Sequence, residues 1–228
     1  VPRSIEDPIT TNAINISGTL NVLVAAQKEG IKRFVFASSS SVYGDEAAMP
    51  KIEERIGSPL SPYATTKLVN EFYAMVFKRV HGMEIIGLRY FNIFGRRQDP
   101  EGVYAAVIPK FVDLIIQKKQ PLIFGDGEQS RDFTYIDNVL QMNRKALVSD
   151  NEEAFGEMFN VACGSRISIN DLFEKIKTLL GQFEESLLDI APIYREERLG
   201  DIKHSLADIS KAKRLLNYSP THDCNQGL

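Results

Sequence analysis

The sequence predicts an α/β fold built on a parallel sheet. In the first hundred residues, helical patterns alternate with short apolar runs of strand length, in the order helix, strand, loop, helix, strand. This alternation is typical of parallel sheets, in which a helix connects each strand to the next. Charged residues precede the first apolar run and serines follow it, as expected for a strand that is buried on both faces.

Residues 9–29 are predicted to form the first helix, because apolar residues recur there at helical spacing, and Gly30 would end it. Residues 32–37 are predicted to be the first strand. After a polar loop, Ser61 offers a side-chain cap and a proline follows at the first helical position, so a second helix should run to about residue 81.

The next strand is predicted over residues 84–90, and beyond residue 100 the pattern becomes more mixed. A helix is predicted over residues 103–119, with a possible kink at Pro109. Residues 121–137 should form short strands around a glycine-rich turn. Further helices are predicted at 137–149, 168–181 and 208–217.

The composition is that of an ordinary globular protein, with 228 residues, 43% of them hydrophobic and 25% charged. A formal net charge of -3 gives no basic footprint for nucleic acid, and the absence of a run of 18 apolar residues predicts no membrane helix. Cys163 and Cys224 form no disulfide framework, which favours a reducing, cytoplasmic compartment. His81, His204 and His222 show no metal-ligand spacing, so no metal site is predicted.

Tyr63 and Lys67 are four residues apart near the start of the second helix, which places them on one helix face. A tyrosine ionises near pH 10, so making it a base near pH 7 costs roughly 4 kcal/mol. A cation about 4 Å away supplies on the order of 4 kcal/mol at an effective dielectric constant near 20. A Tyr–Lys pair at this spacing is also common on surfaces. The serines at 38–41 favour a site, because ligands of parallel sheets bind at the carboxyl ends of strands.

Three segments, SSSSVYG (38–44), SPYATTK (61–67) and GLRYFNIFGRRQDP (87–100), closely resemble motifs of the extended short-chain dehydrogenase/reductase family. Within that family the chain resembles NAD-dependent nucleotide-sugar epimerases, most closely those that act on UDP-N-acetylglucosamine, other UDP-N-acetylhexosamines or their uronic acids. The resemblance extends over nearly the whole chain. It implies a partial Rossmann-like parallel sheet, whose glycine-rich first half is missing, with a smaller C-terminal α/β region that binds substrate.

The resemblance also implies the chemistry. Tyr63 would be the base on the sugar 4-hydroxyl, and Lys67 would activate it and bind the nicotinamide ribose. Ser39 matches the catalytic serine, and Ser40 is assigned to the catalytic group with it. Ser40 and Ser41 would lie beside Ser39 near the sugar. The C4 hydride would pass to NAD, leaving a 4-keto sugar, and would return on the other face. Related 4,6-dehydratases carry an Asp–Glu pair where this chain has Ser40 and Ser41, so epimerisation is favoured over loss of water.

Further contacts are implied by the same resemblance. For the cofactor they are Asn15, Ala37, Ser38, Tyr90 and Phe91, in addition to Tyr63 and Lys67. For the UDP-sugar they are Asn92, Leu122, Ile123, Phe124, Arg131, Arg166, Arg198, Asp201 and Ser205, in addition to Ser39, Ser40 and Ser41. Each of these assignments has a structural alternative. Residues 122–124 would then be strand core, Asn92 would be a capping residue at a strand end, and the arginines would be ordinary surface residues. Ser205 stands at a gate residue beside the sugar C2 substituent, where a small side chain leaves room for an N-acetyl group.

The family's G-x-x-G-x-x-G turn, which brings backbone N–H groups close to the cofactor pyrophosphate, does not occur in this sequence. Because a βαβ unit takes about 30 residues, roughly 80–100 residues are expected to precede Val1, and this chain alone should bind NAD weakly and be inactive. Residues 1–100 are assigned to the cofactor-binding and catalytic part. Residues 101–228 are assigned mainly to substrate binding, with segments that return to the main sheet.

Helices 9–29 and 62–81 match the pair that resembling enzymes use for a homodimer interface, so a homodimer is expected. Two alternatives to a UDP-N-acetylhexosamine 4-epimerase stay open. One is a UDP-glucuronate 4-epimerase or decarboxylase, and the other is an inactive, epimerase-like binding module.

Overall fold

The computed structural model describes residues 1–101, 106–197 and 203–228. Its strands, in chain order, are β1 (Arg33–Ser39), β2 (Glu84–Tyr90), β3 (Ile93–Phe94), β4 (Leu122–Phe124), β5 (Ser130–Arg131), β6 (Thr134–Tyr135), β7 (Met158–Val161), β8 (Ile167–Ser168) and β9 (Ile193–Arg195). Its helices are α1 (Pro2–Glu6), α2 (Pro8–Asn12), α3 (Gly18–Lys28), α4 (Pro62–His81), α5 (Val107–Ile116), α6 (Ile136–Val148), α7 (Ile169–Gly181), α8 (Ser210–Leu216) and α9 (Cys224–Gly227). A π-helical turn, Ala13–Ser17, joins α2 to α3, and 3₁₀ turns lie at Ser40–Tyr43, Glu152–Ala154 and Glu185–Asp189.

The main sheet is parallel, with the strand order β1-β2-β7. Strand β1 is longer than the predicted strand at 32–37, because Ser38 pairs with Arg89 and Ser39 pairs with Tyr90. Pairing with a neighbouring strand outweighs the low strand preference of serine, which a local pattern cannot anticipate. The extension carries two serines to the carboxyl end of the sheet.

Helices cover both faces of this sheet. Ile85 and Ile86 are adjacent in β2 and therefore point to opposite faces. Ile85 belongs to a buried cluster with Leu23 of α3 and Phe77 of α4, whereas Ile86 belongs to a cluster that includes Met142 of α6. The sheet is thus sandwiched between α3 and α4 on one side and α6 and α8 on the other.

A second region is built from short sheets and two helices. Strands β4 and β9 pair in parallel, β5 and β8 pair antiparallel, and β3 pairs with β6. Helices α5 and α7 pack together through Phe111 and Phe173, whose rings meet edge to face at a centroid distance of 5.8 Å. This region has its own buried cluster, which includes Ile123 and Leu172.

Most of the predicted elements are confirmed, with corrections at particular residues. The first helix is present at residues 8–28, but the segment Ala13–Ser17 has π-helical geometry. Pro109 produces no kink, because α5 begins only two residues earlier and the first-turn N–H groups have no partner within a helix. Among the described residues, no helix combines the length and the apolar character that crossing a bilayer requires.

Candidate active site

The serine run lies where β1 ends and a 3₁₀ turn begins. Ser39 caps this turn, and its Oγ accepts hydrogen bonds from the Ser41 backbone N–H at 3.2 Å and from Ser41 Oγ at 3.0 Å. A hydroxyl has two acceptor sites and one donor. With both acceptor sites of Ser39 engaged by Ser41, its own O–H remains to donate to another group. Ser39, Ser40 and Ser41 are all half-buried.

Tyr63 and Lys67 lie in the first turns of α4, as predicted. Ser61 Oγ accepts from the Ala64 N–H at 3.1 Å and Pro62 occupies the first helical position, so both start signals operate. Lys67 Nζ lies 5.7 Å from the centroid of the Tyr63 ring and donates to the Ala37 carbonyl at 3.0 Å. Burial lowers the pKa of Lys67.

Buried charged side chains join α4 to the end of β1, and the sequence did not reveal them. Ser38 Oγ donates to Glu71 Oε1 at 2.5 Å, so the Ser38 hydroxyl points inward and any cofactor contact of Ser38 would come from its backbone. Glu71 also forms a two-point ion pair with Arg89. The sequence signals were a glutamate four residues after Lys67 and an arginine inside an apolar strand.

The other predicted cofactor residues occupy different environments. Asn15 Nδ2 donates to Thr66 Oγ1 at 2.9 Å, which fastens the π-helical turn to α4. Ala37 is exposed. Tyr90 is half-buried, and its hydroxyl donates to Asn143 Oδ1 at 3.0 Å. Phe91 as a whole is 1% exposed and its ring packs on Tyr43 in the core, so the Phe91 side chain is not open to a cofactor in this structure.

Five of the predicted substrate residues line one cavity of about 270 Å³. They are Asn92, Leu122, Ile123, Phe124 and Arg131. Residues of α5 and Phe133 line the same cavity. Ile123 is also part of the buried core, whereas the Leu122 side chain is 42% exposed, so the three strand residues differ in how much they could offer a ligand.

The segment with Ser205 is hydrogen-bonded to β5, whose Arg131 lines this cavity. The Ser205 N–H donates to the Ser130 carbonyl at 2.9 Å, and Arg131 Nη1 donates to the Lys203 carbonyl at 3.1 Å. Ser205 therefore lies beside the strand that carries Arg131. Arg166 is exposed and precedes β8, whose Ile167 pairs with Arg131. The predicted residues Arg198 and Asp201 lie outside the described residues.

Asp132 organises these segments, and sequence reasoning did not identify it. Its carboxylate is fully buried and accepts hydrogen bonds from the backbone N–H groups of Cys163, Gly164 and Ala207, at 2.9, 3.0 and 3.3 Å. Its carbonyl accepts from Asn92 Nδ2 at 3.0 Å. Burial raises the pKa of Asp132 to about 6, against the opposing effect of the three N–H donors.

Each of the three histidines contacts a neighbouring side chain. His204 Nδ1 lies 2.9 Å from Ser130 Oγ, His222 lies against the Tyr135 ring, and His81 lies against Phe77. Within the part of the chain that the structure describes, no three His, Cys, Asp or Glu side chains form a group that could hold a metal ion.

The residues fit the nicotinamide end of NAD. Lys67 donates one of its N–H bonds to Ala37, and its other two have no hydrogen-bond partner among the described residues, which suits a ribose ligand. The Tyr63 ring lies 5.7 Å from the same ammonium, and Ser39 follows the exposed Ala37 at the carboxyl end of the sheet. The cofactor pyrophosphate would depend on a glycine-rich turn that this sequence does not contain.

Comparison with known proteins gives a consistent result. The model of the NAD dependent epimerase/dehydratase family matches residues 1–162. A putative UDP-glucose 4-epimerase of Methanocaldococcus jannaschii is 38% identical, in an alignment that spans all of this chain and 71% of that protein.

Two solved structures are similar as well. The UDP-N-acetylglucosamine 4-epimerase from Methanobrevibacter ruminantium, in complex with UDP-N-acetylmuramic acid, is 43% identical with a TM-score of 0.89, over 96% of this chain and 67% of that one. The UDP-glucuronic acid 4-epimerase from Bacillus cereus, in complex with UDP-glucuronic acid and NAD, is 32% identical with a TM-score of 0.83, over 94% of this chain and 65% of that one. The resemblance noted from the motifs and the Rossmann-like α/β fold are thereby confirmed, and the chain belongs to the NAD dependent epimerase/dehydratase family.

Proposed function

We propose that the protein inverts C4 of a UDP-N-acetylhexosamine, such as UDP-N-acetylglucosamine, through a 4-keto intermediate. The observation that carries the proposal is the position of Lys67, whose Nζ binds the Ala37 carbonyl two residues before Ser39 and lies 5.7 Å from the Tyr63 ring centroid. Positions 40 and 41 are serines and not carboxylates. Bound NAD would supply the hydride acceptor and donor. Proton transfer and substrate binding would be carried out by side chains of this chain.

Tyr63 takes the proton of the sugar 4-hydroxyl and later returns one to the same oxygen. The Lys67 cation stabilises the phenolate, which lowers the cost of ionising it at neutral pH. Ser39 donates a hydrogen bond to the sugar O4, because Ser41 engages both of its acceptor sites. Inversion also requires the keto sugar to present its other face, so the sugar must be held less firmly than the nucleotide.

The cavity beside β4 and β5 would hold the nucleotide. Arg131 is the diphosphate ligand of this proposal, since guanidinium binds phosphate oxygens in pairs. Asn92 would assist it, and Leu122 and Phe124 would contact the uracil ring. In this division residues 1–100 carry the chemistry and residues 101–228 mainly hold the substrate.

The N-acetyl preference rests on Ser205. Its backbone bond to Ser130 places it next to the strand of Arg131, and its side chain is small. A UDP-glucuronate 4-epimerase is the second candidate, because a relative of that specificity aligns with nearly the whole chain. A decarboxylase of UDP-glucuronate and an inactive binding module are the remaining outcomes of the test.

The test compares UDP-sugars on the product of the complete coding sequence, purified with NAD. UDP-N-acetylglucosamine, UDP-glucose and UDP-glucuronate are each incubated with the enzyme, and products are identified by nuclear magnetic resonance. We expect the highest kcat/KM for UDP-N-acetylglucosamine, and no turnover by the Tyr63→Phe variant. Preferred turnover of UDP-glucuronate would replace the substrate assignment, and no turnover of any sugar by an NAD-loaded protein would favour the binding module.

We also propose a homodimer that uses helices α3 and α4. Helix α4 exposes an apolar strip in which Phe72 is 51%, Val76 is 52% and Val80 is 66% exposed, and Val22 of α3 is exposed as well. Such a strip of large apolar side chains is typical of a protein interface. A Val76→Glu variant should sediment as a monomer, and an unchanged sedimentation coefficient would contradict this interface.

The free thiols of Cys163 and Cys224 support a cytoplasmic location.

A further inference from the structure

We infer that Glu71 is a positioning residue that fixes Ser39 relative to Tyr63 and Lys67. The inference rests on the proposed function of that site. Tyr63, Lys67 and Glu71 recur every four residues along α4 and therefore follow one side of the helix. Lys67 Nζ binds the Ala37 carbonyl, and one turn later Glu71 binds the Ser38 hydroxyl. Two successive turns of the helix are thus fastened to the two residues that precede Ser39.

The Glu71 carboxylate is itself held rigidly. Arg89 donates from Nε to Oε1 at 3.0 Å and from Nη2 to Oε2 at 2.8 Å, and its Nη1 donates to the Glu53 carbonyl at 2.9 Å. The two side chains are 3% and 4% exposed. Two parallel bonds to a planar guanidinium restrict both the position and the rotation of the carboxylate.

The arrangement links the two strands as well as the helix. Ser38 and Arg89 are paired neighbours in β1 and β2, and both bind the same carboxylate oxygen, Glu71 Oε1. The end of β1 is therefore held in position by β2 and α4 together. Ser39 is the next residue, so the position of its hydroxyl is fixed relative to the same two elements. A misplacement of about 1 Å in a reacting group can cost about a hundredfold in rate.

Ser38→Ala is the most selective test, because it removes the contact to Glu71 and leaves the Glu71–Arg89 pair intact. In the full-length, NAD-loaded protein we expect kcat to fall about tenfold, with the KM for the UDP-sugar and the affinity for NAD within twofold of wild type. Ser38→Thr keeps the hydroxyl and should restore most of kcat.

Tyr218→Phe is the matched control. It also removes one buried hydroxyl hydrogen bond, from Tyr218 to the Ala162 carbonyl at 2.9 Å, but outside this arrangement. We expect a similar loss of stability and an unchanged kcat. If Ser38→Ala loses stability as the control does and keeps its kcat, the inference is overturned. A rise in the Kd for NAD at unchanged kcat would overturn it too, since it would identify Ser38 as a cofactor contact.

Amide hydrogen exchange separates this inference from the proposed function. Backbone amides of residues 39–42 should exchange faster in Ser38→Ala than in wild type, and at the wild-type rate in Tyr218→Phe. This readout needs no turnover, so it decides the positioning claim even if the protein proves inactive as an epimerase. Unchanged exchange in Ser38→Ala would refute the positioning claim.

Discussion

Replacing Lys67 by Met tests how the base is activated. Methionine keeps the unbranched side chain and its packing and removes the charge. The ammonium lies 5.7 Å from the Tyr63 ring centroid, and at an effective dielectric constant near 20 this separation corresponds to about 3 kcal/mol of phenolate stabilisation. Since each 1.4 kcal/mol is a factor of about ten, kcat should fall about a hundredfold.

The pH dependence sharpens this prediction. Lys67→Met has no ammonium to lose, so its rate should lack the alkaline decline that the Lys67 side chain gives to wild type. The wild-type rate should itself decline in alkaline solution, because burial lowers the pKa of Lys67 and the cation is lost as pH rises through that value.

The assay is steady-state epimerisation by the full-length protein between pH 6 and pH 10, with Lys78→Met as the control. Lys78 is exposed on the same helix, roughly 16 Å along its axis from Lys67 at about 1.5 Å per residue, and its replacement removes an equal charge. We expect the control to match wild type. A Lys67→Met variant with a kcat within threefold of wild type and the same pH profile would refute the electrostatic reasoning.

Three further predictions address stability and specificity. Glu71→Leu or Arg89→Met alone should lower the free energy of unfolding by about 3–5 kcal/mol, because each leaves a buried charged partner uncompensated. The double variant with both substitutions should lose much less than the sum; urea denaturation of all three would show this, and additive losses would contradict it. The raised pKa of Asp132, about 6, means that the folded chain binds this proton more tightly than the unfolded chain. The stability of wild type relative to Asp132→Asn should therefore fall as pH rises from about 4 to about 6, by up to about 3 kcal/mol, and a pH-independent difference would contradict the assignment. Ser205→Tyr should lower kcat/KM for UDP-N-acetylglucosamine at least tenfold while sparing UDP-glucose, and full activity on both sugars would show that Ser205 does not face the C2 substituent.

Local signals predicted the elements that depend on local physics. Both ends of α4 followed from Ser61, Pro62 and the glycine after residue 81, and Gly82 does adopt the left-handed conformation, with φ of 67°. The Tyr63–Lys67 face followed from helical spacing alone. These features require no knowledge of what packs against the helix.

Features that depend on distant partners could not be read from the sequence. Ser38 joins β1 only because Arg89 pairs with it, and Glu71 is buried only because the same arginine meets it. Asp132 binds backbone groups that lie about thirty and seventy-five residues further along the chain. The sequence showed these residues as ordinary polar positions, and their roles arise from tertiary contacts.

The most direct test of the central claim follows the hydrogen at C4. Full-length protein is incubated in ordinary water with UDP-N-acetylglucosamine that carries deuterium at C4, and the product is examined by nuclear magnetic resonance. We expect the C4-inverted sugar with deuterium retained at C4, because the same hydride returns to the opposite face, and no product with Tyr63→Phe. Loss of deuterium to solvent, or retention of the original C4 configuration by an NAD-loaded protein, would contradict this expectation.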